Sequence, residues 1–229
     1  NSFISIVSPF EHEDIINMVI KHFGDWVNKK FAKKEIIPEH HQFIKKISYK
    51  KEIEQSTIIY LYTFNGLTKA EELALRILNF KFGESANSIL FRELREERGL
   101  SYDVYTQLDT SNNVKILYIY TSVSAKNVDQ AIEVIDTAIK DIKTEKILFD
   151  DNTIALMKKI LKTAIASTLE DSTDLGNYVI HQAMDNENIY EFTEDMINMG
   201  TVKSKDLYNV ARKVLQKPTI HIFLPEKRG

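Results

Sequence analysis

The sequence predicts an α+β fold, a mostly antiparallel β-sheet backed by helices. Strand-like runs occur as neighbouring pairs, and long amphipathic helices follow one another instead of alternating with strands. The composition, 43% apolar and 28% charged over 229 residues, is that of a globular chain with enough length to bury a core.

In order along the chain, Phe3, Ile4, Ile6 and Val7 form a short β-like run ended by Pro9. Residues 14–23 then carry Ile15, Met18, Val19 and Phe23 at helical spacing, with Gly24 as the C-cap. Lys29, Lys30, Lys33, Lys34 and Pro38 mark a charged, irregular linker reaching His41. Strands are expected over residues 43–49 and 56–64. The second, with Ile58 to Tyr62 apolar on both faces, is the central one. Thr68 is the N-cap of a helix through Leu73, Leu75, Ile77 and Leu78, with Glu71 at the capping-box position. Gly83 interrupts before a second helix, which presents Ile89, Leu90 and Leu94 on one side and stops at Gly99. Residues 102–108 and 114–123 read as a hairpin whose turn spans residues 110–113. Helices over 127–142, 150–169, 175–184 and 204–215 and a last strand over 219–224 complete the chain. The first run echoes the last, since both alternate and both end on proline. Residues 1–27 are therefore expected to be the closing strand and helix of a preceding, similar domain, 28–41 a linker, and 42–229 a second domain.

A net charge of -3 and a pI near 6.1 give no field that would recruit nucleic acid or an acidic membrane surface. No apolar run approaches the ~18 residues of a membrane-spanning helix. The absence of cysteine excludes disulfides and thiolate ligands and agrees with a reducing, cytoplasmic location. No Gly-x-Ser-x-Gly elbow or phosphate-cradling glycine loop occurs.

The segment Leu90-Phe91-Arg92-Glu93-Leu94-Arg95-Glu96-Glu97-Arg98-Gly99-Leu100-Ser101-Tyr102 resembles the signature region of the second domain in the pitrilysin/insulinase family of zinc metallopeptidases, which includes mitochondrial processing peptidase. Phe23-Gly24-Asp25-Trp26 is similar to the end of the family's first domain, and Lys217-Pro218-Thr219 to its closing strand. The resemblance implies the LuxS/processing-peptidase-like metalloenzyme fold. It also implies that Arg95 and Tyr102, seven positions apart, reach across a clamshell toward a peptide held in the other half. They would supply substrate or oxyanion contacts there. Spacing alone would read Arg95 as a solvated helix-end charge and Tyr102 as a packed strand residue. Arg92 and Arg98 are expected in surface ion pairs, and Glu93, Glu96 and Glu97 on a solvated helix face.

The family's zinc motif, His-x-x-Glu-His, has no counterpart. The six histidines are His12, His22, His40, His41, His181 and His221, and only His40 and His41 lie close in sequence, as direct neighbours. The chain is thus expected to hold no metal or other cofactor itself, the zinc belonging to a zinc-bearing N-terminal half or homologous subunit. A single glycine, Gly83, precedes the signature helix where the family often carries several, which weakens the case for a glycine-loop substrate contact. The expected function is the zinc-free half of a peptidase, with a peptide as substrate. A non-enzymatic scaffold of the same fold and an unrelated α+β binding domain are the rivals. An unpaired first strand could also join two copies as a homodimer.

Overall fold

The computed structural model describes residues 2–27, 42–110 and 114–226. One five-stranded sheet has the order β1-β5-β2-β4-β3, formed by β1 (Lys45–Lys50), β2 (Ser56–Thr63), β3 (Ser101–Asp109), β4 (Ile116–Val123) and β5 (Thr219–Pro225). All pairings are antiparallel except β1 with β5. The expected central strand is indeed central: β2 alternates buried Ser56, Ile58, Tyr60 and Tyr62 with half-buried Thr57, Ile59 and Leu61. Its buried row meets Val123, Thr121, Ile119 and Leu117 of β4, so the two strands present one continuous face to the helices.

That face is covered by α2 (Lys69–Asn79), α4 (Val128–Lys143) and α8 (Ser204–Val214). The start of α2 is fixed by the box read from the sequence: Glu71 N–H donates to Thr68 Oγ1 at 3.3 Å, and Thr68 N–H donates to the Glu71 carboxylate at 2.8 Å. From there Leu73, Ala74, Leu75, Ile77 and Leu78 are buried. Ile135, Ile139 and Ile142 of α4 and Leu207, Val210 and Ala211 of α8 complete the core. Outside it lie α5 (Asp151–Glu170), α6 (Ser172–Asp185) and α7 (Glu191–Asn198); α5 buries only Ile154, Met157 and Leu161. Among the described residues no helix is long and apolar enough to cross a membrane.

Several elements differ from the sequence reading. Residues 2–8 form no regular element and pair with no described strand. The helix α1 (His12–Phe23) that follows has no buried residue, with Ile15 and Val19 half-buried. The strand expected over 43–49 forms later and runs parallel to β5 at the edge, where its lysines stay in water. Both helices around the signature carry π-helical turns, Phe80–Glu84 after α2 and Arg92–Glu96 after α3 (Ile89–Phe91). Finally, α7 was not anticipated, and α6 starts earlier than expected because Asp171 caps it, accepting from Thr173 N–H at 2.8 Å and Asp174 N–H at 2.9 Å. The linker at 28–41 and turn residues 111–113 lie outside the described residues.

Candidate functional site

The signature segment starts at Ser88, which is fully buried and whose Oγ accepts from Phe91 N–H at 3.3 Å. Ile89, Leu90 and Leu94 anchor it in the core. Over Arg92–Glu96 the hydrogen-bond register widens by one residue, Glu97 N–H donating to the Arg92 carbonyl at 2.9 Å. Turns of this kind recur at functional sites. Gly99, at φ +57°, then reverses the chain, and Leu100 N–H reaches back to the Leu94 carbonyl at 2.8 Å. Nothing crowds Gly99, so the backbone angle rather than space calls for glycine there.

The returning strand opens on a bulge. Ser101 pairs with Val123 and Asp103 with Ser122, leaving Tyr102 as the extra residue. Ser101 Oγ ties the bulge down, donating to the carbonyls of Asp103 at 2.7 Å and Ser122 at 3.0 Å and lying 2.7 Å from Thr121 Oγ1. A bulge re-aims the side chain it carries. Tyr102 is 76% exposed, which removes the packed-tyrosine reading.

The structure brings Arg95 and Tyr102 together: the guanidinium carbon lies 5.3 Å from the centroid of the Tyr102 ring. Arg95 is exposed and faces Phe91 on its other side. Its neighbours behave differently. Arg92 lies 3.2 Å from Glu93 and 3.3 Å from Glu97, and Arg98 lies 2.7 Å from Glu93 and 3.5 Å from Glu97. This closed ring of four charges borders a cleft of about 460 Å³ against Gln130, Glu133 and Asp141. Arg92 and Arg98 are ion-pair residues, as their sequence context suggested.

A second feature was missed in the sequence. The sheet face turned away from the helices carries Tyr105, Tyr118 and Tyr120, with Ile59, Leu61 and Phe223 beside them, all half-buried. Tyr105 stacks on Tyr120 with ring centroids 5.0 Å apart. The alternation of Tyr118 and Tyr120 with buried Leu117 and Ile119 was the available signal. On the same face His221 Nε2 is hydrogen-bonded to Ser48 Oγ at 2.9 Å, and burial holds its pKa below the ordinary imidazole value, with Lys46 adding to the shift.

Among the described residues no three His, Cys, Asp or Glu side chains come close enough to hold a metal ion. The donor set of the described residues does not fit zinc, for which three converging protein ligands are needed in a catalytic site.

Comparison with known proteins adds the family. A family model described as "Peptidase M16 inactive domain" matches residues 1–161. The Bacillus subtilis protein named "Uncharacterized zinc protease YmxG" is 31% identical over 160 residues, covering 68% of this chain and 38% of that protein. A protease from Helicobacter pylori shares the fold with a TM-score of 0.81 at 17% identity, over 94% of this chain and 53% of that one. An M16 inactive domain from Pseudomonas fluorescens does so with a TM-score of 0.79 at 14% identity, over 95% and 52%. The chain therefore spans between 38% and 53% of the length of these relatives. By its matched residues, the chain belongs to the M16 (pitrilysin/insulinase) peptidase family, as the family's inactive domain.

Proposed function

We propose that this chain is the zinc-free half of a zinc metallopeptidase and closes over a zinc-bearing half to form a clamshell chamber for an extended peptide. The observation that carries this reading is the Arg95 and Tyr102 pair: an exposed guanidinium with no carboxylate partner among the described residues, beside an exposed phenol. Among the described residues both are donors without acceptors. Aimed at a peptide carbonyl they would polarise it, and aimed at a tetrahedral oxyanion they would stabilise the charge as it develops. The half-buried face with Tyr105, Tyr118 and Tyr120 would supply the apolar wall along which the peptide lies. A scaffold of the same fold would have no use for an unneutralised arginine held against a bulged tyrosine.

The N-terminal segment belongs to the same proposal. Its look-alike β5 is an interior strand with partners on both sides, whereas residues 2–8 have neither. Phe3, Ile4 and Ile6 are about half exposed, and the segment touches the main domain near Gly176, with Ser5 Oγ and Val7 Cγ2 within about 4 Å of where a side chain would start. Residues 1–27 would close the sheet of the zinc-bearing half, or of a second copy in a homodimer. The experiment mixes the purified zinc-bearing half with this chain, complete or starting at Gln42, and follows association and peptide hydrolysis. Hydrolysis should need both partners, and the shorter chain should bind the zinc half more weakly. Chelator-sensitive hydrolysis by this chain alone, or equal binding by the two versions, would overturn the corresponding part.

A further inference from the structure

Among the described residues Arg95 is the one arginine of the signature segment without an acidic partner, although three glutamates lie within two residues of it. Residues one or two positions apart on a helix do not face each other, and the widened turn engages two of the three glutamates elsewhere. In an ordinary α-helix, residues five apart are about 140° apart around the axis and do not meet. Across Arg92–Glu96 they do meet, because the backbone bonds run from residue i to i+5. Arg92 therefore reaches Glu97, and Glu93 reaches Arg98. The two glutamates are held in a neutral ring beside α4, while Arg95, two residues from each, points elsewhere.

What Arg95 has in place of a carboxylate is a pair of rings. Its guanidinium carbon lies 4.9 Å from the Phe91 centroid and 5.3 Å from the Tyr102 centroid. Phe91 sits four residues earlier, half-buried and packed on the core, so its ring is fixed from below. A guanidinium held between two faces loses rotational freedom yet keeps its N–H edges open, which an ion pair would not allow. We infer that Phe91 is a positioning residue for Arg95: its ring and that of Tyr102 hold the guanidinium in place, with its donors free for the peptide. This rests on the reading of Arg95 given under Proposed function. Phe91 acts through Arg95 and need not touch substrate.

The test has a spectroscopic arm and a kinetic arm. In the full 229-residue chain, the Arg95 side-chain Nε–Hε resonance is identified by its disappearance in Arg95→Lys. Ring currents from the two faces should shift it away from the positions of the other arginines. Phe91→Leu should remove most of that shift, while Phe91→Tyr keeps it. Phe91→Met, which preserves apolar volume without a ring, serves as a second variant should leucine disturb folding. Assembled with the zinc half, Phe91→Leu should lower kcat/KM about fivefold, and Phe91→Tyr should restore it. An Arg95 resonance unchanged by Phe91→Leu and Phe91→Met overturns the inference whatever the kinetics. A lost shift with wild-type kinetics would show a stack that Arg95 does not need, and overturns the positioning inference while leaving the reading of Arg95 itself to Arg95→Ala.

Discussion

Arg95→Ala, assayed with the zinc-bearing half present, is expected to lower kcat/KM by about 10²-fold, the loss that follows removal of one preorganised donor to a developing charge. Tyr102→Phe should lower it in the same direction by roughly tenfold or more, since it deletes the hydroxyl and leaves the ring against Arg95. Folding should be untouched in both variants, because both side chains are exposed and neither makes a hydrogen bond on which the core depends. The loss should fall on kcat if the contact strengthens in the transition state, and on KM if it merely holds the ground state. Arg95→Lys should rescue little, since an ammonium cannot reproduce the flat donor fork between two rings. Wild-type kinetics in Arg95→Ala and Tyr102→Phe would return both residues to a surface role.

Gly83→Ala is expected to destabilise the chain by about 2–3 kcal/mol, at the upper end of what overpacking costs. A methyl carbon built at Gly83 would overlap Thr106 Cγ2 and sit 2.6 Å from Thr106 Oγ1 and 2.9 Å from its Cβ. Neither side can yield easily. Thr106 is buried in β3, its hydroxyl directed at the Asn79 carbonyl, and Gly83 belongs to the π-helical turn that rests on that strand. Since β3 also carries Tyr102, the strain should reach the site as well as the core. Thr106→Ala removes two of the three overlapping atoms, so the double variant should recover part of the loss in a urea titration. Additive losses from the two substitutions would show that the contact does not set the position of β3.

The contrast between legible and hidden features follows how far each depends on distant residues. Thr68 with Glu71, Gly99 at the end of the signature helix, and the apolar run at Ile58 to Tyr62 act through neighbours in the chain, and all three could be read directly. The π-helical turns could not. Ile89, Leu90 and Leu94 satisfy an α-helical pattern equally well, and the wider register is expressed in pairs such as Glu93 with Arg98. Helix α7 is short and tied to α2 by Lys69 with Glu191 at 2.5 Å and Arg76 with Asp195 at 2.6 Å, partners more than a hundred residues apart. The parallel pairing of the lysine-rich β1 with β5 likewise joins opposite ends of the domain. At the site, Arg95 and Tyr102 came from a family resemblance, and the structure adds their proximity and exposure. Phe91 escaped notice because a phenylalanine four residues before an arginine reads simply as core beside surface.

The most direct measurement of the central claim is a photocrosslink from position 102. With p-benzoylphenylalanine installed in place of Tyr102 and the chain assembled with its zinc-bearing half, a non-hydrolysable peptide should crosslink to this chain. The yield should fall when unlabelled substrate competes and when Arg95 is changed to Ala. Crosslinking that ignores the competitor, or none at that position while the assembly cleaves peptide, would contradict the assignment of Arg95 and Tyr102 to the peptide-binding wall.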